Sequence, residues 1–319
     1  MVGNAYAVEK RTISRGCREV EAELSFAMRL RARGIPFLFV LAPCKMSFDG
    51  TLLPCGWEGS NPNEASRAVA QALAAEHVEV LDLVPRYAAT GEKIDRHFFA
   101  TDHHWNIRTS LEATSIVCDR LAEILGKPEL RGNHRLALSS WSRHVQRSDF
   151  VGSHGRRTGW LFSGIEDFEY FLPRFKTFQE SFVPGSGKRR TGGFIEAEFN
   201  RKYLRPDQRE WRWLAFGGPA LGLKVHRNLS PSVDMRCMVV KDSFGRHPVA
   251  FLSTVFREVV EVDPRLTEPE QAVDGAVEAY KPDVVVMIVN PSSVLGARWL
   301  SGMKKKAKGK DGTRAFYVY

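Results

Sequence analysis

Two short segments hold residues whose types and spacing suit proton-relayed nucleophilic chemistry. The first is Asp102-His103-His104-Trp105. In extended backbone, residues two apart project to the same side, so Asp102 can lie beside His104 and bond one ring nitrogen. That bond fixes the tautomer and leaves the other nitrogen as a base. His103 points the opposite way and is the weaker candidate. The same residues also suit a metal-binding or purely structural histidine pair. The second segment is Lys241-Asp242-Ser243-Phe244-Gly245. A serine between a buried strand and a helix sits at the C-terminal edge of a sheet, where open α/β folds place their ligands. N–H groups at the following helix start can stabilise an oxyanion. Read alone, Ser243 is equally an ordinary helix cap. Taken together, the serine, histidine and aspartate are the parts of a hydrolase-type triad, whose order along the chain is immaterial to its geometry.

The elements that must position these residues alternate between helix and strand. Apolar spacing predicts a helix over Cys17–Arg33, a strand over Phe37–Leu41 and a Gly/Pro loop over Cys44–Asn61. Asn63 is expected to cap a helix over Glu64–His77, before a strand over Val78–Leu83. Asn106 is expected to cap a helix that runs to about Leu125. Further on, Cys237–Val240 reads as a strand leading to Ser243. It is followed by a helix over His247–Phe256, a strand over Val259–Val262 and a helix over Pro269–Tyr280. Val284–Val289 reads as a strand buried on both faces. This alternation marks a parallel α/β sheet. It divides the chain into a first part of the core at 17–130, an irregular β-containing insertion at 131–233, a second part of the core at 234–295 and a basic tail at 296–319. The insertion, rich in Gly, Arg, Phe and Trp, is too long to be structureless.

Composition sets the outer bounds. The chain has 319 residues, 43% hydrophobic and 26% charged, which excludes wholesale disorder and collagen-like structure. No apolar run reaches the roughly 20 residues that span a bilayer. Net charge is +9, concentrated at Lys188–Arg190 and in the tail Lys304–Lys310, which reads as a solvated terminus. Such a surface favours nucleic acid, anionic lipid or acidic polysaccharide, and charge alone does not choose. The five cysteines include no CxxC pair, so a zinc ribbon or thioredoxin-type site is not expected. Cys44 and Cys55 flank the Gly/Pro loop and suit either a disulfide or two free thiols. No metal-ligand spacing or phosphate loop appears, so neither metal nor other cofactor is implied. Met1–Gly16 has no apolar core of a secretory signal.

The Ser243 segment looks like the Gly-Asp-Ser block of SGNH hydrolases. Thr101–Trp105 resembles the Asp-His-His-Trp signature of the DHHW protein family, itself similar to the SGNH-like domains of the alginate O-acetylation proteins. Those carry a Thr-Asp-x-His-Trp motif upstream of the serine, the permuted order found here. Leu41–Lys45, Phe251-Leu252, Val262–Arg265 and Lys281–Val284 resemble DHHW proteins too, so the similarity spans about Ile35 to Asn290. The resemblance implies a flavodoxin-like SGNH core, helices on both faces, with Ser243, His104 and Asp102 catalytic. It implies acyl, most simply acetyl, transfer to a polysaccharide through an acyl-serine; esterase activity with the same triad and inactive glycan binding are the alternatives. The expected partners are an acidic polysaccharide acceptor, an acyl donor and a membrane acyl-transfer partner, with no nucleic acid. Location is periplasmic or cell-surface by resemblance, cytoplasmic by the absence of a visible signal. Lys241 departs from the usual glycine and either stabilises an oxyanion or pairs with Asp242. Asn290 either supplies an oxyanion amide or turns the chain before Pro291. Arg156, Arg157 and Trp105 are candidates for substrate contact, although paired loop arginines are commonly just exposed and Trp105 also suits packing beneath the histidine. Trp160, Trp211 and Trp213 suit either sugar stacking or packing.

Overall fold

The computed structural model describes residues 20–45, 61–89, 96–218, 222–266 and 269–295. Ten strands are set in chain order: β1 (Phe37–Leu41), β2 (Glu79–Asp82), β3 (Trp141–Phe150), β4 (Glu166–Pro173), β5 (Gln179–Phe182), β6 (Arg189–Gly192), β7 (Leu223–Asn228), β8 (Val233–Lys241), β9 (Phe256–Val262) and β10 (Val284–Val289). Eight of them form one sheet in the order β2-β1-β10-β8-β9-β7-β5-β6. The pairings from β2 through β9 are parallel. β7, β5 and β6 continue the sheet antiparallel. Strands β3 and β4 pair apart from it as a two-stranded ribbon.

The core follows from the two-residue period of a strand. Leu38, Val40, Val239, Val286 and Ile288 face one cluster, shared with Leu111, Leu121 and Phe251 of the helices Ile107–Leu125 and Arg246–Leu252. Phe39, Leu41, Met238, Val285 and Met287 face the other, shared with Leu30, Leu73 and Val277. These belong to a helix at 20–32 and to the helices Pro62–Ala75 and Pro269–Tyr280. Helices therefore cover both faces, and the expected SGNH-like α/β class is observed. Strands β1 and β10 are buried at every position, as their unbroken apolar runs require.

Local readings needed correction in places. Asn61, not Asn63, caps the second helix, its side chain accepting from Asn63 N–H. Asn63 is instead buried and exchanges two hydrogen bonds with the Cys44 backbone. The helix after Ser243 ends at Leu252, where the Ser253 and Thr254 hydroxyls donate back to the Ala250 and Phe251 carbonyls. Phe256 already belongs to β9. Cys17, Cys55 and residues 296–319 lie outside the described residues, and with them the Cys44–Cys55 question and the basic tail. Among the described residues, no helix is long and apolar enough to cross a membrane.

A buried charge cluster joins β8, β9 and β7 to the Glu198 segment. Lys241 Nζ lies 2.9 Å from Glu261 and 3.7 Å from Asp263. His226 faces Glu198 through Nδ1 (2.7 Å) and Glu261 through Nε2 (3.2 Å). With a carboxylate at each nitrogen, both nitrogens donate and the ring is a cation. Burial alone would lower the His226 pKa, but Glu198 and Glu261 outweigh it and raise the pKa above the ordinary 6.5. His247 behaves oppositely. Burial pushes it down to about 3, and it sits neutral between Ser110 Oγ and the Trp213 carbonyl.

The signs fix a pH profile. The His226 contribution is full below pH 6.5 and is lost as pH rises through its elevated native value. The His247 contribution is present above 6.5 and is lost as pH falls from there toward 3. Urea unfolding midpoints measured across pH should therefore peak near 6.5, and His226→Gln should flatten the alkaline limb.

Candidate active site

Residues 98–105 form a tight loop between the Phe98–Trp105 bridge and the start of helix Ile107–Leu125. The Phe99 N–H donates to the His104 carbonyl, and the Asn106 N–H to the His97 carbonyl. Asn106 caps the helix by accepting from Thr109 N–H, as its type and position predict. Two charged side chains hold the loop's backbone. Glu166 accepts from Ala100 N–H (2.7 Å) and from the Thr101 N–H and hydroxyl (2.6 and 2.5 Å). Lys45 donates to the carbonyls of Phe99, Ala100 and Asp102. The donors and acceptors of an irregular loop are thus satisfied by opposite charges.

Within it Asp102 is 1% exposed and makes the central interaction. Its Oδ1 accepts from His104 Nδ1 at 2.6 Å and from His104 N–H at 2.9 Å. Its Oδ2 accepts from Ser153 N–H at 2.6 Å. Burial acts to raise the Asp102 pKa. The charge and hydrogen bond of His104, then His103 and the Ser153 N–H, overcome it and hold the carboxyl well below the usual range. Because Asp102 is ionised, His104 carries its proton on Nδ1 and presents the lone pair of Nε2. That Nε2 is buried and meets no hydrogen-bond partner among the described residues, the Ser243 hydroxyl included. A buried acceptor left open costs roughly 1–3 kcal/mol.

The ring is fixed from three sides. His104 stacks on Trp213 (centroids 4.2 Å, 25°) and packs against Phe244 (5.3 Å) and His103 (3.8 Å). Trp213 carries the Arg246 guanidinium at 4.6 Å from its ring. Of its two expected roles Trp213 takes packing, with its indole against the imidazole. His103 Nδ1 is 2.6 Å from Ser153 Oγ. Burial, with the neighbouring His104, lowers its pKa to about 3, so it is neutral.

The serine segment meets this loop. Strand β8 ends at Lys241, and Ser243–Gly245 forms one 3₁₀ turn that runs into helix Arg246–Leu252. Asp242 is fully buried and fixes the turn: Oδ1 accepts from Phe244 N–H (2.7 Å) and Oδ2 from Asn290 N–H (2.8 Å). Ser243 is half-buried at the first position of the turn, where a backbone N–H has no intrahelical acceptor. Trp105 Nε1 donates to the Phe244 carbonyl at 3.1 Å, bridging segments 139 residues apart in sequence. Trp105 is 1% exposed, and its indole braces the serine turn.

Other candidates lie elsewhere. Lys241 pairs with Glu261 and Asp263, not Asp242, and its ammonium is sealed in the charge cluster, away from an oxyanion role. The Asn290 side-chain oxygen caps helix Pro291–Val294, accepting from the Ser292 N–H and hydroxyl, the turn role expected before Pro291. Arg156 is held by Glu210 (3.5 Å) and the face of Trp211 (4.7 Å). Arg157 is exposed, and its charge helps lower the pKa values of His103 and His154. Ser153, Glu166 and Gly152 were missed. A Cβ on Gly152 would stand 2.2 Å from Asp102 Cβ, so only glycine lets the next N–H reach the carboxylate.

Asp102, His103 and His104 also each present a ligand atom, all within 4.8 Å of one another. The 2.6 Å between His104 Nδ1 and Asp102 Oδ1 suits a proton between them. Two atoms sharing a tetrahedral ion at about 2.1 Å each stand about 3.4 Å apart.

A mostly parallel sheet covered on both faces, with a serine turn at its rim and an aspartate-bound histidine beside it, is consistent with the SGNH-like fold. Residues 7–149 match the family model described as "SGNH hydrolase-like domain, acetyltransferase AlgX". No curated protein matches the sequence. Among solved structures, Bacillus cereus PatB1 is similar at a TM-score of 0.69 and 16% identity, covering 90% of this chain and 93% of that one. PatB1 with a sulfonyl adduct gives 0.70 and 17%, covering 89% of each. A DHHW family protein from Eubacterium siraeum gives 0.67 and 16%, covering 90% of this chain and 88% of that one. At these identities the likeness is one of fold. The resemblance to DHHW and SGNH-like acetylation proteins read from the sequence is borne out.

Two substitutions test the geometry. Gly152→Ala should displace Asp102 and destabilise the protein by about 1–3 kcal/mol, read in urea unfolding. Trp105→Phe keeps the packing but deletes the donor to Phe244, and should cost about 0.5–1.5 kcal/mol in the same measurement.

Proposed function

We propose that this chain is a serine-dependent O-acyltransferase, acetyl being the simplest acyl group, that works through an acyl-serine. The observation that carries the reading is the open, buried Nε2 of His104, its tautomer set by ionised Asp102 and its ring packed on the serine turn. The family model matched at residues 7–149 supports transfer.

In this mechanism Ser243 Oγ attacks the carbonyl carbon of an acyl ester while His104 Nε2 takes the hydroxyl proton. Negative charge on the carbonyl oxygen is met by the free N–H of Ser243 at the start of the turn. Collapse of the tetrahedral adduct breaks the ester bond, and His104 returns the proton to the departing oxygen. An acceptor hydroxyl then gives its proton to His104 and attacks the acyl-serine, releasing the new ester and restoring Ser243. Asp102 stays ionised and stabilises the imidazolium at both stages. A carbohydrate acceptor follows the resemblance, and an acidic one is favoured by the net charge of +9.

Ser243→Ala should abolish release of acetate from a chromogenic acetyl ester, with and without an oligosaccharide acceptor. Asp102→Asn should lower turnover by about ten-thousandfold, since the histidine tautomer is no longer fixed. A sulfonyl fluoride should add one covalent adduct to wild type and none to Ser243→Ala, read by intact mass. An acceptor-independent rate equal to the rate with oligosaccharide would make the protein an esterase. Undiminished turnover by Ser243→Ala would overturn the reading.

A further inference from the structure

Directly beyond the helix that contacts Asp102 stands an apolar tip. Helix Ser153–Thr158 starts with the N–H that Asp102 accepts, and the His154 and Gly155 N–H groups donate to the Thr101 carbonyl. It is followed at once by the short helix Trp160–Ser163. Trp160, Leu161 and Phe162 are 60%, 78% and 89% exposed; the last two are the most exposed large apolar residues among those described. Solvated chain ends and loops rarely present three consecutive large apolar side chains to water.

The tip is built, not frayed. Gly159 (φ +85°) and Gly164 (φ +71°) bracket it in conformations that side-chain-bearing residues rarely adopt. Its backbone is bonded: Phe162 and Ser163 N–H to the Gly159 carbonyl, Gly164 N–H to the Trp160 carbonyl. Ser163 returns close beside Gly155, where an added Cβ would meet its hydroxyl at 2.8 Å. The exposures of Trp160, Leu161 and Phe162 make the tip a protrusion into solvent. Just before the tip lies the exposed Arg157, while Arg156 is engaged with Glu210 and Trp211.

We infer that this tip docks the protein on an anionic phospholipid bilayer. A fluid apolar phase accepts side chains that protrude singly from such a tip. An indole suits the headgroup level, Leu and Phe suit the acyl boundary, and the exposed Arg157 carries the charge that matches lipid phosphates. Docking there would hold the Asp102–His104 loop at the bilayer surface, because the same helix joins the two.

The test is flotation of the full chain with vesicles of phosphatidylcholine alone and of an equal mixture with phosphatidylglycerol. Wild type should float with the mixed vesicles. Combined Trp160→Ser, Leu161→Ser and Phe162→Ser should weaken that binding by at least about tenfold, with an unchanged unfolding midpoint. Arg157→Gln should reduce the preference for the anionic mixture. Failure of wild type to float with either vesicle overturns the proposal. So does undiminished binding by the triple serine variant, which would assign binding to another surface. Wild type that is dimeric in light scattering, and monomeric once the tip is changed, would give the tip to a second copy and also overturn it. Flotation does not depend on turnover, so its outcome is separate from that of the acyl-transfer reading.

Discussion

An ionised carboxylate held out of water governs this molecule's working end. Removing the Asp102 charge from solvent is expensive, and the protein offsets that cost with three N–H donors at 2.6–2.9 Å. Two come from the histidine two residues on and one from Ser153, beyond the two-stranded ribbon's first strand. The carboxylate therefore joins the Thr101–Trp105 loop to the helix Ser153–Thr158 as well as orienting a ring. Most other local features are conditions for that contact: a glycine where backbone must approach, a lysine and a glutamate bracing the loop, an indole beneath the imidazole.

The serine side is organised by a second buried carboxylate. Asp242 gathers N–H groups from Phe244 and Asn290 and so connects the end of β8 to the end of β10. Lys241, its neighbour, points the other way into the charge cluster with Glu261 and Asp263. Alternate residues along this strand end thus serve opposite faces, one tightening the turn and one anchoring the strand. Where related motifs carry glycine before Asp-Ser, this chain has a buried cation and must supply carboxylates for it from β9 and beyond.

The sheet core was legible in the sequence because buried parallel strands leave unbroken apolar runs; Phe37–Leu41 and Val284–Val289 match the observed strands residue for residue. The aspartate–histidine contact was also legible, since it is local and follows from a two-residue spacing. Asn106 revealed itself as a cap, but Asn63 misled, because a helix start here offered two asparagines and the burial of one depends on Cys44 far upstream. Ser153 and Glu166 left no local trace. Each acts through a partner dozens of residues away, and neither periodicity nor composition encodes such a meeting. Lys241 was misjudged for the same reason: its carboxylate partners lie on the next strand, not beside it in sequence.

The pairing of β1 with β10 joins Phe37 to Val285 and Leu41 to Val289. The first of the described strands thus waits for the last of them before it gains a neighbour on that side. During synthesis the middle of the sheet stays open until residue 289 has emerged, and the nascent chain exposes β1 and its apolar face throughout. Closing so long a loop late makes acquisition of the native state slow and dependent on protection from aggregation. Any shortening of the chain that removes β10 would separate β1 and β2 from β8, splitting the sheet at its most buried point.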